Sequence, residues 1–243
     1  MLDGLYSAAS GMAAQQRELD AISDDLANES TPGYKSQRVA FGDLLYSELD
    51  DAGTTTTTGA GAEARTIGRD GAQGAFIATG KPLDLAIAGA GYFQVKLPNG
   101  QTGLTRNGSF GVDAQGTIVD AAGNPLQPPI SLPRGVSPEE MAIAPDGTVT
   151  AGKRTLGKIE LAEVPSPDHL LAAGDGVFEA NASSGAIQPA AEALIAQGTL
   201  EGSNVDVAEA MANLVTTQRG YQLDSSAIQT ESQMASIANQ LRP

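Results

Sequence analysis

The chain has 243 residues, a formal charge of −15, one histidine, no cysteine and no tryptophan. That length suits one sizeable core or a core with appendages, and the acidity excludes nucleic acid and anionic membrane surfaces, which need clustered Lys and Arg. Without cysteine there is no disulfide, thiolate nucleophile or zinc–thiolate site, and no stretch approaches the roughly 20 apolar residues of a membrane span.

The first predicted element is a helix from near Leu2 to about Asn28. Leu5, Ala8, Met12, Gln15, Leu19, Ile22 and Leu26 follow one another at alternating steps of three and four, which keeps one stripe on one helix face. Ordering such a helix costs more backbone entropy than its few large apolar side chains return unless neighbours cover the stripe on several sides. The small residues from Ser7 to Ala14 would let other helices approach closely. An ordinary amphipathic helix lying on the chain's own core satisfies the same spacing. Thr31-Pro32-Gly33 ends the element, because proline restricts the residue before it and Pro-Gly favours a tight turn.

Residues 1–30 are thus read as a terminal helix and 31–75 as an arm or linker. Within the arm, Val39, Phe41, Leu44, Leu45 and Tyr46 form a short apolar patch. Asp50 to Gly74 contains five consecutive threonines and almost no large apolar residue except Ile67, so alone it is expected to be flexible, or extended along a partner.

From 76 to 198 the pattern changes to short apolar runs with frequent turn signals. Leu83, Leu85 and Ile87 alternate with Asp84 and Ala86, and Tyr92, Phe93 and Val95 make a second run. Asn99-Gly100, Asn107-Gly108, Gln115-Gly116, Gly123-Asn124 and Asp146-Gly147 are turn candidates. Their spacing predicts antiparallel hairpins closing a β domain, with Phe110, Val112, Ile118, Val119, Ile143, Val149, Ile159 and Leu161 in its core. A second helix occupies the final segment, 199–243, after a cap at Ser203, Asn204 or Asp206. Its stripe is Val207, Met211, Leu214, Gln218, Tyr221, Ser225 and Ile228, shifting to Met234, Ala238 and Leu241. A glutamine in the middle of each stripe, Gln15 and Gln218, could fix register. The fold class is α+β: terminal helices paired in the manner of a coiled coil, with a central antiparallel β-rich domain.

Chemistry is hard to find. Gly89-Ala90-Gly91 opens like a dinucleotide turn, but Gln94 stands where a third glycine belongs and strands surround it. His169 shares a tight loop with Ser166 and Asp168, too close for triad geometry. The acid pairs Asp24-Asp25, Asp50-Asp51 and Glu139-Glu140 read as exposed, and no Asp-rich loop has calcium spacing. No catalytic, cofactor-binding or metal residue is assigned, and no cofactor is expected.

Four stretches nonetheless carry a resemblance. Leu5 to Gln16 with Leu26-Ala27-Asn28-Glu29-Ser30-Thr31-Pro32-Gly33-Tyr34-Lys35 is similar to the N-terminal signature of bacterial flagellar rod and hook proteins. Asp84 to Val95 and Thr105-Arg106-Asn107-Gly108-Ser109-Phe110 resemble that family's central motifs, and Glu201 to Glu209 its C-terminal motif. Phe41 to Tyr46 and the chain length are most similar to distal rod members, proximal rod members of similar size being the alternative. Asp24-Asp25 departs from the family, which usually has amides there, and the Thr-rich stretch occupies the place of a type-specific insertion.

The resemblance implies a structural subunit of the basal-body rod, the periplasm-crossing shaft that transmits motor torque to hook and filament. It implies a helical, head-to-tail homo-oligomer touching other rod proteins, the hook protein and the surrounding basal-body rings. It further implies delivery by the flagellar export apparatus without a cleaved signal peptide, with neither nucleic acid nor membrane insertion involved. The expected assembly interface is Leu5, Ala8, Met12, Gln15, Leu19, Ile22, Leu26, Val207, Met211, Leu214, Gln218, Tyr221, Ile228, Met234 and Leu241. A soluble β-domain binding module with a private helical stalk, and an enzyme with an unrecognised carboxylate site, are the readings from other classes.

Overall fold

Helix α1 (Leu2–Ala27) stops where Thr31-Pro32-Gly33 turns the chain, with the Thr31 N–H donating to the Asn28 carbonyl at 3.0 Å. Helix α2 (Val207–Gln240) starts at Asp206, whose Oδ1 accepts from the Ala208 and Glu209 N–H groups at 2.9 and 3.1 Å. Asp206 is therefore the cap. The computed structural model describes residues 2–44, 47–51, 54–58, 61–133, 136–190 and 192–240. The chain divides into a helical unit, Met1–Ala27 with Gln37–Ile67 and Asp206–Pro243, and a β unit, Asn28–Ser36 with Gly68–Val205.

In the helical unit α1 and α2 pack side by side. Two small ladders accompany them: β1 (Gln37–Asp43) with β4 (Ala62–Arg69), and β2 (Ser47–Asp51) with β3 (Thr54–Thr58). The threonine run, expected to be flexible or extended along a partner, is instead one strand of an antiparallel hairpin in which Leu49 faces Thr56. Its β-branched side chains favour extended backbone even without large apolar groups.

The β unit holds β5 (Phe76–Ala78), β6 (Leu85–Ala88), β7 (Tyr92–Lys96), β8 (Thr102–Thr105), β9 (Gly111–Val112) and β10 (Ile118–Val119). It continues with β11 (Met141–Ile143), β12 (Thr148–Ala151), β13 (Arg154–Lys158), β14 (Leu161–Glu163) and β15 (Leu171–Gly174). Last come β16 (Val177–Glu179), β17 (Gln188–Pro189), β18 (Leu194–Gln197) and β19 (Thr199–Glu201). The largest sheet has the order β15-β16-β8-β7-β14-β17; β11-β12-β13 form a second, and β6–β18, β5–β19 and β9–β10 pair off. These ladders run antiparallel.

Leu85, Ile87, Phe93, Val95, Ile118, Leu126 and Val149 are buried in its core, with Phe93 set edge-on to Phe110 at 5.1 Å. Of the core residues expected from sequence, Val112 and Val119 are half-buried and the others are buried. Asn107-Gly108 is not a hairpin tip. Its backbone lies against β6, Leu85 N–H donating to the Gly108 carbonyl at 3.0 Å, and a Cβ on Gly108 would stand 1.6 Å from the Leu85 oxygen. Only glycine permits that approach.

Candidate functional site: a helix seam and a buried charge cluster

Three close approaches set the pairing of the helices. A Cβ built on Gly11 meets the Asp224 carboxylate, one on Gly220 meets the Gln15 amide, and Thr217 Oγ1 donates to Glu18 Oε2 at 3.1 Å. As the α1 number rises the α2 number falls, so the helices run antiparallel. On α1, Ala8, Met12, Gln15, Leu19, Ile22 and Leu26 are half-buried, while Ala14 and Ala21 are buried. The α2 face on the seam is Val207, Ala210, Leu214, Thr217, Tyr221, Asp224, Ile228 and Glu231, half-buried apart from the buried Thr217.

That face corrects one detail of the sequence reading. Met211 and Gln218 are exposed, and Ala210 and Thr217 take the seam positions beside them, so Gln15 does not meet a second glutamine. Gly11 and Gly220 leave room on the seam for the Asp224 carboxylate and the Gln15 amide. Met211, Val215, Leu223, Met234 and Ile237, also on α2, are 46–71% exposed. The side chains of Leu5, Ala238 and Leu241 lie outside the described residues. Asp25, read as exposed, is buried instead: its Oδ1 accepts the Gln37 N–H at 3.0 Å, which ties the start of β1 to α1.

The second feature lies in the β unit, around Glu201. Its carboxylate is fully buried and accepts from Lys35 Nζ at 2.6 Å, from Arg106 Nη1 at 3.2 Å and from the Gly74 N–H at 3.1 Å. Lys35 Nζ also donates to the Ala72 carbonyl, and Arg106 Nη2 to the Gly89 carbonyl, at 2.6 and 2.9 Å. Arg106 lies over the Tyr92 ring at 5.4 Å, and its Nε is buried with no hydrogen-bond partner among the described residues. Arg69 sits 5.3 Å from both the Tyr34 and the Phe178 ring while donating to the Lys35 carbonyl. Burial pushes the Tyr92 phenol above the ordinary tyrosine value, opposed by the Arg106 charge.

Asn204 completes the cluster. Its Oδ1 accepts the Ser36 N–H at 2.8 Å, and its Nδ2 donates to the carbonyls of Asp70 and Ala72 at 3.1 and 3.2 Å. The backbone follows: Gly33 N–H donates to the Glu201 carbonyl at 2.7 Å and Asn204 N–H to that of Tyr34 at 3.3 Å. All four stretches that carried the family resemblance, read separately in the sequence, therefore meet here. The signal available beforehand was three ionisable residues, Lys35, Arg106 and Glu201, each inside a glycine-containing motif.

Nothing in this arrangement suits catalysis. Lys35 and Arg106 are both engaged with the Glu201 carboxylate, and His169 stands exposed on a short turn. An open groove of about 620 Å³ in the β unit is lined by Asp146, Lys158 and Glu160 but by no Ser, Thr, Cys or His. Among the described residues no group of His, Asp and Glu could hold a metal ion, and no helix is long and apolar enough to cross a membrane.

Comparison with known proteins agrees with the geometry. The profile described as "Flagella basal body rod protein" matches residues 5–35, "Flagellar hook protein FlgE/F/G D1 domain" matches 86–151 and "Flagellar basal body rod FlgEFG protein C-terminal" matches 196–241. The chain is 37% identical to the flagellar basal-body rod protein FlgG of Caulobacter vibrioides, over 99% of this chain and 100% of that one. It is 35% identical to FlgG of Borreliella burgdorferi, over 100% and 99%. With the flagellar basal-body rod protein FlgF of Escherichia coli it shares 32% identity over 99% and 98%.

Proposed function

The chain belongs to the family of flagellar basal-body rod proteins, and we propose that its helical unit is the part through which copies associate into the shaft. It is a structural subunit of the distal rod, not an enzyme, and it assembles with other rod and hook components in the flagellar basal body. Copies stack head to tail in a helical, non-closing arrangement, with α1 and α2 in the inner layer and the β unit making outer lateral contacts. The hook protein, the surrounding rings and the export apparatus are its further partners, and it crosses the periplasm after export without a cleaved signal.

One observation carries the assembly reading. Besides its seam toward α1, helix α2 carries the exposed large apolar side chains Met211, Val215, Leu223, Met234 and Ile237. Five large apolar side chains left exposed along one helix mark a surface awaiting cover. Leu5 and Leu241 are included in the proposed interface by their place in the sequence stripes alone. The test compares the full chain with one lacking Leu2–Ala27 by sedimentation and electron microscopy. The full chain is expected to form ordered tubes or filaments and the shortened chain none; ordered polymers of the shortened chain would overturn the reading.

A further inference from the structure

The chain passes between its two units four times, after Ala27, Ser36, Ile67 and Val205. Three of those passages run directly into the cluster around Glu201. Ser36 is held by Asn204 through its N–H and by Asp70 through its carbonyl. Arg69 and Asp70, just past the third passage, are held by Lys35, Tyr34 and Asn204. Asn204 itself stands one residue before the fourth passage and holds two of the other segments. Glu201 lies beneath them, clamped by two cations donated from different motifs.

From this convergence we infer that the Glu201–Lys35–Arg106 cluster, capped by Asn204, is the mechanical joint of the subunit. It binds the three segments into one stiff bundle within the β unit, so that load reaching one of them is shared by the others instead of letting them slip past one another. The chemistry suits that task. A buried carboxylate held by two cations resists displacement in every direction, because moving either partner strands an uncompensated charge away from water. An apolar contact could slide along its neighbours at far smaller loss. Lys35 and Arg106 grip Glu201 from separate chain segments, and the Arg69 guanidinium between two rings restrains the third passage sideways. These are positioning residues.

The inference rests on the torque-bearing role of the rod subunit, and its first test is independent of assembly. Amide hydrogen exchange is measured on the dilute full chain, in wild type, Glu201→Gln and Asn204→Ala. Asn204→Ala is the gentler change, removing three hydrogen bonds and no charge. In Asn204→Ala the amides of Ser36, Asp70 and Gly74 are expected to exchange at least tenfold faster, while those of β7 and β8 keep the wild-type rate. Glu201→Gln is expected to extend the effect to Gly33 and Gly202. Unchanged exchange at the passages in both variants would overturn the joint, as would equal acceleration throughout the β unit. The second test places Asn204→Ala in cells that lack the native subunit and rely on the variant. Basal bodies with complete rods and swimming that fails selectively in viscous medium are expected; wild-type swimming under load, or absence of rods, would count against the proposal.

Discussion

Replacing Leu223 by Glu tests the exposed apolar surface of α2 most sharply. Leu223 is 71% exposed, and Leu and Glu have similar helix propensities, so in the separate subunit the change should cost less than about 0.5 kcal/mol. If a neighbouring copy covers this side, the result differs greatly. Covering the exposed seven-tenths of a leucine contributes about 1–2 kcal/mol, and all of it is forfeited. Desolvating the new carboxylate, with no partner waiting, costs a further ~1–3 kcal/mol at least. Together these weaken each contact by about 2–5 kcal/mol, or roughly 30- to 4,000-fold in association constant. Sedimentation velocity over a concentration series reads the assembly, and a circular-dichroism melt reads the subunit. A variant that polymerises at the wild-type concentration would refute the reasoning, and so would one whose melt falls well below wild type, since Leu223 would then be supporting its own chain.

Gly108→Ala should destabilise the β unit by about 3 kcal/mol, the upper end of overpacking costs, because its methyl would sit 1.6 Å from the Leu85 carbonyl oxygen. The urea midpoint measures this, and an unchanged midpoint would show that β6 can retreat. The Tyr92 phenol, raised by burial, stays neutral in the folded chain to higher pH than in the unfolded one. Its contribution to stability is therefore complete below the ordinary tyrosine value of about 10 and is lost as pH rises through the folded value. Absorbance titration at alkaline pH should show one of the five tyrosines ionising late, and Tyr92→Phe should abolish that lag; a lag that persists refutes the assignment.

The terminal helices were legible because heptad spacing is a local signal, readable without knowing the partner. Which of two adjacent residues faces the seam was not. Met211 and Ala210 both satisfy a three-four rhythm, and only the packing of α1 on α2 leaves Ala210 half-buried and Met211 exposed. The hairpin of β2 and β3 was hidden for a different reason: a threonine run has low hydrophobicity, which reads as disorder, and strong β propensity, which reads as strand. Asp25 shows a third kind of limit, since its buried position depends on Gln37, twelve residues away beyond a turn. The Glu201 cluster joins residues up to 166 apart, and no periodicity announces a contact of that range. It was visible only as separate motifs of unexplained composition.

The two units are finished to different degrees, and that difference bears on how the subunit works. The β unit buries whole aromatic and branched side chains, Phe93, Leu85, Ile87 and Leu126 among them, and holds its buried Glu201 carboxylate between two cations. Among the described residues the two helices bury only alanines, a threonine and an aspartate, and Gln15 Oε1 and Glu231 Oε2 are enclosed without hydrogen-bond partners. A seam so short of fully buried large apolar side chains contributes little toward the ordering entropy of two long helices. Anything that binds the ordered form then stabilises it by mass action. An arriving copy that covers Met211, Val215 and Leu223 would thus order the helices as it docks, while the β unit meets that copy already folded. Growth at the tip of the shaft would select for helix order, and a subunit would join a growing tip more readily than it starts a new polymer.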